Sequence, residues 1–284
     1  MIVDAPSSPY GKRSNVRTSD GTRLAVYEWG NPAGMELLLI HGFAQCHLCF
    51  APQLRSTLAE HCRIITFDFR GHGASERPVD PAAYQGSRVW ADDIAAVIAA
   101  AGLRRPVIAG WSMGGRVTRQ YLMVHGDAGL AGINFVGSMV IEDARYRGRA
   151  SVRAQPDGSP LGAEIASAIA FLAGCYAIPP AEADFRTALA YNMLVPGETR
   201  RAIGGWTTDP AATHAALARV RVPVLITHGR KDAIVLPDAA LATQAAIPHA
   251  EISWYDGCGH SPFAEDAPRF NAELLGLVRT CQIA

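Results

Sequence analysis

The feature that most constrains the fold is an alternation of short apolar runs with helical patterns along most of the chain. The apolar runs are nearly continuous, as expected of strands that are buried on both faces of a parallel sheet. They cover residues 36–40, 63–67, 106–109, 132–141, 222–227 and 251–255. The helical patterns cover residues 51–61, 87–101, 115–125, 237–246 and 267–279. Strand and helix in alternation predict a doubly wound α/β sheet.

An antiparallel pair of strands is expected ahead of this alternation. Residues 16–29 contain Asp20-Gly21 between two segments in which apolar and polar residues alternate. Asp-Gly between two such segments is typical of a β-hairpin. We therefore expect an antiparallel edge beside the parallel part of the sheet.

The alternation lapses between residues 142 and 218, where alanine-rich helical segments and Pro179-Pro180 occur without a convincing strand. We interpret this segment as a helical cap, or lid, inserted after the sixth strand. The core domain would then comprise residues 1–141 and 219–284, and the cap residues 142–218. The alternative is an ordinary pair of crossover helices with long loops, although structureless loops of that length are uncommon.

Length and charge exclude several classes of protein. A chain of 284 residues with 49% apolar residues can bury a substantial core. Its 26 Lys and Arg balance its 26 Asp and Glu, and no basic run suggests a nucleic-acid partner. No apolar stretch approaches the roughly 20 residues that span a bilayer, and residues 1–12 do not resemble a secretion signal. We expect a cytoplasmic protein without a membrane partner; nothing indicates its oligomeric state.

Six cysteines are scattered through the chain, at positions 46, 49, 62, 175, 258 and 281. Without a secretion signal, reduced thiols are expected rather than a disulfide framework. Cys46 and Cys49 form a CxxC pair, but no second pair at zinc-site spacing accompanies them. We therefore predict no metal site.

Ser112 lies in the segment Gly110-Trp111-Ser112-Met113-Gly114-Gly115, directly between an apolar run and a helical pattern. A GxSxG sequence at a strand-to-helix turn predicts a nucleophile elbow, in which small neighbours make room for a strained serine. Because a serine hydroxyl is a poor nucleophile until a base removes its proton, a histidine is required elsewhere.

His260 is the candidate base, since it follows the last apolar run and precedes the last helical pattern. Catalytic groups gather at such carboxyl ends of strands in open α/β sheets. The acid that orients the base is Asp232, just past the run at 222–227, with Glu142 or Asp143 as the alternative. The order Ser, Asp, His is that expected of α/β-hydrolases.

Two backbone N–H groups are expected to stabilise the oxyanion of a tetrahedral intermediate. One belongs to Met113, the residue after the candidate nucleophile. The other belongs to Phe43, in the loop that follows the run at 36–40.

Five blocks in the same order resemble the α/β-hydrolase superfamily, in particular small bacterial esterases and cofactor-free non-haem chloroperoxidases. They are His41-Gly42-Phe43, residues 68–75, the elbow at 110–115, residues 228–232, and residues 257–262 with 263–271 after them. The resemblance implies an α/β-hydrolase fold and a mechanism that needs no metal or organic cofactor. Serine at position 112 disfavours the aspartate-nucleophile relatives.

Taken together, these patterns predict a serine hydrolase that forms an acyl-enzyme from an ester or lactone of a small, apolar substrate. Trp111, Tyr84 and Trp206 are candidates to line its pocket. A carbon-carbon bond hydrolase or a haloperoxidase-like perhydrolase would carry the same motifs. A hydrolase-fold protein that only binds a ligand is the alternative outside enzymes.

Overall fold

An eight-stranded, mostly parallel sheet forms the centre of the computed structural model, which describes residues 11–151, 156 and 158–283. Strand β2 runs antiparallel to both β1 and β4, and the other neighbours are parallel. In chain order the strands are β1 (Lys12–Arg17), β2 (Arg23–Gly30), β3 (Met35–Ile40), β4 (Cys62–Phe67), β5 (Val107–Trp111), β6 (Gly132–Val136), β7 (Val224–Gly229) and β8 (Glu251–Tyr255). Their order in the sheet is β1-β2-β4-β3-β5-β6-β7-β8. This confirms the predicted fold class and the hairpin at its edge.

Helices connect the strands and cover the sheet. They are α1 (Ala51–Leu54), α2 (Leu58–His61), α3 (Ser87–Ala100), α4 (Met113–His125), α5 (Leu161–Gly174), α6 (Glu182–Met193), α7 (Gly197–Gly204), α8 (Pro210–Leu217), α9 (Asp238–Ala246), α10 (Pro262–Glu265) and α11 (Ala267–Ile283). Within the described ranges, none of these helices has the length and apolarity needed to cross a membrane. Most of residues 1–12, where the sequence predicts no secretion signal, lie outside the described residues.

The sheet has an apolar core on each face, because successive side chains of a strand point to opposite sides. In β3, Leu38 and Ile40 belong to the core that includes α3 and α4. Leu37 and Leu39 belong to the core that includes α1, α2 and α11. Burial on both faces explains why the strands read as continuous apolar runs.

Two elements are shorter than the sequence predicts. The run at 132–141 forms a strand only as far as Val136, because Gly137 adopts a φ of 51° and leaves the strand. A Cβ atom at Gly137 would lie 2.9 Å from the carbonyl oxygen of His260, so this position requires glycine. The helix expected at 51–61 is instead two short helices, and the Ser56 hydroxyl between them hydrogen-bonds to backbone groups on both sides.

The segment 142–218 contains α5 to α8 and lies in the chain between β6 and β7. Phe171 of α5 and Tyr191 of α6 share an apolar cluster with Ile234 and Val235, which follow β7. The helices of this segment therefore pack directly on loops at the carboxyl ends of the strands. Its division from the core as a separate cap domain stays a prediction.

Candidate active site

Ser112 occupies a sharp turn between β5 and α4, with φ 54° and ψ −114°. Positive φ is rare for residues other than glycine and strains the backbone. The neighbouring glycines are needed for close approach: a Cβ atom at Gly110 would lie 2.7 Å from the carbonyl carbon of Gly114. A Cβ atom at Gly114 would collide with the carbonyl oxygen of Ile40. The local structure is therefore that of a nucleophile elbow.

Ser112, His260 and Asp232 are linked by hydrogen bonds, as expected from their positions just after strands in the sequence. The Ser112 Oγ lies 2.8 Å from His260 Nε2. His260 Nδ1 lies 2.8 Å from Asp232 Oδ2. Because a carboxylate only accepts hydrogen bonds, Nδ1 carries the hydrogen and Nε2 is free to accept the Ser112 proton. This is the geometry that general-base activation of a serine requires.

Asp232 is buried and held as an anion. Its Oδ1 accepts hydrogen bonds from the backbone N–H groups of Ile234, at 2.8 Å, and Val235, at 2.9 Å. Burial alone would raise the pKa of Asp232. The opposing interactions with His260 and His228 prevail and hold this pKa well below its usual range.

The two alternative acids are engaged elsewhere. Glu142 Oε1 accepts hydrogen bonds from Arg116 and from Arg119, both at 2.8 Å. Asp143 accepts a hydrogen bond from the backbone N–H of Arg145 and pairs with its side chain at 2.9 Å. Asp232 is the acid in contact with His260.

The loop that carries His260 is fixed from two sides. Glu265 Oε1 accepts hydrogen bonds from the backbone N–H groups of Gly259, at 2.9 Å, and Ser261, at 3.2 Å. The Trp111 indole N–H donates to the carbonyl oxygen of His260 at 2.8 Å. The imidazole therefore approaches Ser112 from a backbone held in place by these three bonds.

The backbone N–H groups of Phe43 and Met113 are free to bind an oxyanion. Neither donates a hydrogen bond within the part of the chain that the structure describes. Met113 is the first residue of α4, so its amide has no intrahelical acceptor. Phe43 follows β3 in a loop packed against the elbow, where a Cβ atom at Gly42 would lie 3.3 Å from the Ser112 Cβ.

Two buried histidines support the Phe43 loop. His41 Nε2 accepts a hydrogen bond from the Phe69 N–H at 3.0 Å, and His72 Nε2 accepts one from the Ala44 N–H at 3.1 Å. Burial lowers the pKa of His41 to about 4 and that of His72 to about 3. Both rings are therefore neutral near pH 7 and act as acceptors for backbone N–H groups.

A cavity opens above Ser112 between the strand ends and the helical segment. Its lining residues are Phe43, Ser112, Met113, Arg116, Met139, Glu142, Arg147, Ser151, Phe171, Arg200, Ile203, Gly204, Trp206, Ile234 and Val235. Trp206 lines the cavity, as expected, but Trp111 and Tyr84 do not. Trp111 packs beneath the elbow against Phe263, with ring centroids 4.8 Å apart. Tyr84 is buried and donates its hydroxyl hydrogen to the Pro78 carbonyl.

His228 is a neighbour of Asp232 that the sequence analysis did not single out. Its Nε2 lies 3.2 Å from Asp232 Oδ2 and 3.0 Å from the Val235 carbonyl oxygen. Both neighbours are acceptors, which assigns the hydrogen to Nε2. The available signal was a histidine at the end of a buried strand, four residues before Asp232.

The described residues include one group of three potential metal ligands: Cys46, His47 and Asp68. Asp68 Oδ1 already accepts hydrogen bonds from the backbone N–H of His47, at 2.9 Å, and from its Nδ1, at 2.8 Å. Burial raises the pKa of the Cys46 thiol well above neutral pH, which leaves a weak ligand. The group does not fit a cation, and all six cysteines are free thiols.

Comparisons with known proteins find similar sequences and similar structures. The sequence model of the alpha/beta hydrolase family matches residues 37–273. A Burkholderia cenocepacia protein proposed to be an aryl esterase is 33% identical, with a TM-score of 0.86 over 96% of this chain and 100% of that one. Esterase RhEst1 from Rhodococcus sp. ECU1013 is 32% identical, with a TM-score of 0.86 over 95% of this chain and 99% of the esterase chain. A non-heme chloroperoxidase from Streptomyces lividans is 27% identical over 93% of this chain and 99% of its own.

Proposed function

Because the chain belongs to the alpha/beta hydrolase family, we propose that it is a serine hydrolase that cleaves a carboxylic ester or lactone of a small substrate. The observation that carries the proposal is a pair of hydrogen bonds, each 2.8 Å long. One joins Ser112 to His260, and the other joins His260 to Asp232. Two esterases among its structural relatives support an ester substrate.

Acylation begins when His260 Nε2 takes the Ser112 hydroxyl proton and Oγ attacks the substrate carbonyl carbon. The resulting oxyanion accepts hydrogen bonds from the Phe43 and Met113 amides. Asp232 stabilises the imidazolium that forms, and it fixes the ring so that Nε2 faces Ser112. The imidazolium then gives its proton to the leaving alcohol as the carbon–oxygen bond breaks, which leaves an acyl-enzyme.

Deacylation uses the same groups in reverse. A water molecule gives its proton to His260 Nε2 and attacks the acyl carbon. The second oxyanion is bound by the same two amides. When it collapses, Ser112 Oγ recovers a proton from the imidazolium and the carboxylic acid leaves. One base therefore serves both steps, and no other proton carrier is needed.

Loss of Ser112 tests the proposal. Ser112→Ala should lower kcat on 4-nitrophenyl butanoate by about four orders of magnitude or more, because the hydroxyl forms the covalent intermediate. The matched control is Ser19→Ala, an exposed serine on the β1–β2 hairpin, which should keep wild-type activity. Circular dichroism and melting temperature should show that both variants fold. If Ser112→Ala retains more than a few per cent of wild-type kcat, another nucleophile is at work.

The chloroperoxidase relative favours one second candidate, perhydrolysis. Hydrogen peroxide would replace water in deacylation and release a peracid from the same acyl-enzyme. The ratio of peracid to acid, measured at fixed peroxide concentration, separates a perhydrolase from a hydrolase. A vinylogous diketone substrate would test the carbon-carbon bond hydrolase in the same panel. Turnover of any member of the panel excludes a protein that only binds its ligand.

A further inference from the structure

The cavity that contains Ser112 is rich in arginine. Arg116, Arg147 and Arg200 line it, and among the lining residues that the structure describes Glu142 is the only carboxylate. Glu142 is already engaged by two guanidinium groups, those of Arg116 and Arg119. The described part of the cavity wall therefore carries more positive than negative charge.

The side chain of Arg200 is held by carbonyl and amide oxygens and not by a carboxylate. Its Nε donates to the carbonyl oxygen of Val195 at 3.0 Å, and its Nη2 donates to the carbonyl oxygen and side-chain Oδ1 of Asn192. No ion pair or other hydrogen bond of Arg200 occurs within the described ranges, so Nη1 keeps both of its N–H groups free. The negative charge of Glu164 acts to raise the pKa of Arg200, but the described residues include no ion pair between the two.

The environment of the Arg200 guanidinium favours binding of an anion. Arg200 is half-buried and shares the cavity wall with apolar side chains, among them Phe171 and Ile203. Burial lowers the pKa of Arg200, which means that its charged form lacks part of the solvation it would have in water. An anion bound to Nη1 would replace that solvation by a charge-assisted hydrogen bond.

We infer that Arg200 binds a carboxylate of the substrate, so that the preferred substrates are esters with a free carboxylate at the end distant from the scissile bond. This inference rests on the proposed ester hydrolysis. The apolar wall would contact the carbon chain between the two ends. The carboxylate belongs to either the acyl part or the alcohol part, and a substrate pair for each distinguishes them.

The acyl-side pair is monoethyl glutarate and ethyl 4-carbamoylbutanoate, in which an amide replaces the carboxylate at nearly equal size. The alcohol-side pair is 4-acetoxybutanoate and 4-acetoxybutanamide. In one of the pairs, wild-type kcat/KM should favour the carboxylate by about 10- to 100-fold, the range of a hydrogen bond to a charged group. The preference should shrink as NaCl rises from about 0.05 to 0.5 M, because salt screens the attraction.

Arg200→Gln should reduce the preference, taken as the ratio of kcat/KM on the carboxylate member to kcat/KM on the amide member, to within about threefold. The ratio cancels any loss that the substitution causes in both members. Arg200→Lys should keep part of the preference, since it keeps the charge but loses the guanidinium geometry. The matched control is Arg186→Gln, an exposed arginine of α6 that pairs with Glu182 and does not line the cavity. It should leave the preference unchanged.

Two results would overturn the inference. One is a wild-type enzyme that shows no preference for the carboxylate in either pair. The other is an Arg200→Gln variant that loses both members of a pair by the same factor, which would mean that Arg200 only braces the end of α6. Hydrolysis of the neutral amide esters above the Ser112→Ala background reports the proposed function separately. If none of the four esters is hydrolysed, that function and the carboxylate site fail together.

Discussion

At the scale of single residues, Asp232 lies against two histidines. His260 Nδ1 donates a hydrogen bond to its Oδ2, and His228 Nε2 lies 3.2 Å from the same oxygen. His260 transfers protons in the proposed mechanism, whereas His228 has no direct contact with Ser112 among the hydrogen bonds described. The His228 Nε2–H, which donates to the Val235 carbonyl oxygen at 3.0 Å, also lies beside the carboxylate and helps to hold the pKa of Asp232 low. His228 is therefore a positioning residue whose effect would reach catalysis through Asp232.

Replacement of His228 tests this role. His228→Leu should raise the pKa of Asp232, because the carboxylate loses a polar N–H that helps to hold this pKa low. The carboxylate also loses a contact that fixes its orientation toward His260, so kcat should fall by about tenfold while KM stays within about threefold of wild type.

His228→Gln is the matched control because its side-chain N–H can reach the same carboxylate oxygen. It should restore most of the wild-type kcat. If His228→Leu lowers the melting temperature but leaves kcat unchanged, His228 supports only the fold.

At the scale of elements, the segment 142–218 supplies Phe171, Arg200 and Trp206 to the cavity, while Ser112, Asp232 and His260 follow β5, β7 and β8. We propose that this segment acts as a cap that selects the substrate. It contributes little to bond breaking, since none of its described residues contacts the row of Ser112, His260 and Asp232 by a hydrogen bond.

Substitution of cavity residues in the cap tests that division of roles. Phe171→Ala and Trp206→Ala should shift the relative kcat/KM among short, medium and long acyl esters, by about 1 to 3 kcal/mol for each large side chain removed from the cavity wall. Reactivity toward a small fluorophosphonate should stay within about tenfold, because the probe needs only Ser112, His260 and the two oxyanion amides.

Ile169→Ala is the matched control, since Ile169 lies on α5 like Phe171 but is 40% exposed and does not line the cavity. Its selectivity should equal that of the wild type. A uniform loss of all esters and of the probe in the Phe171 and Trp206 variants would make the segment a structural support, contrary to the cap interpretation.

Sequence patterns predict the strands and helices better than they predict where these elements end. Apolar periodicity predicts that a strand begins near residue 132, but its end at Val136 depends on Gly137, which has a positive φ and lies close to the His260 backbone. Similarly, the pattern at 51–61 has helical period throughout, and the break at Ser56 comes from side-chain bonds to the backbone. In both cases a local interaction overrides the pattern.

At the scale of the whole molecule, the fold and the Ser112, His260 and Asp232 row could be predicted because each residue lies in a short motif next to a strand. Parallel strands bring their carboxyl ends to one edge, so the three motifs converge once the sheet forms. The cavity wall could not be predicted in this way. Trp111 and Tyr84 have the right chemistry, but the packing of helices decides which aromatic side chains face the cavity, and of the three candidates only Trp206 does.

The same reason explains why Arg200 could not be found from the sequence. Its neighbours at Asn192 and Val195 lie close in the chain, but its place in the cavity follows from the way α7 packs over the strand ends. No charge pattern in the sequence distinguishes it from the adjacent Arg201. The arrangement of elements, rather than the motifs themselves, therefore decides which side chains line the cavity.

The central claim is that Ser112 forms a covalent bond with the substrate, and active-site labelling tests it most directly. The wild-type protein is incubated with a small alkyl fluorophosphonate, its mass is measured intact, and the modified peptide is sequenced by tandem mass spectrometry. The account predicts one adduct per chain, located on Ser112, with loss of esterase activity in proportion to labelling and no adduct on Ser112→Ala. An unlabelled protein that still hydrolyses esters, or an adduct on another residue that accounts for the loss of activity, would contradict it.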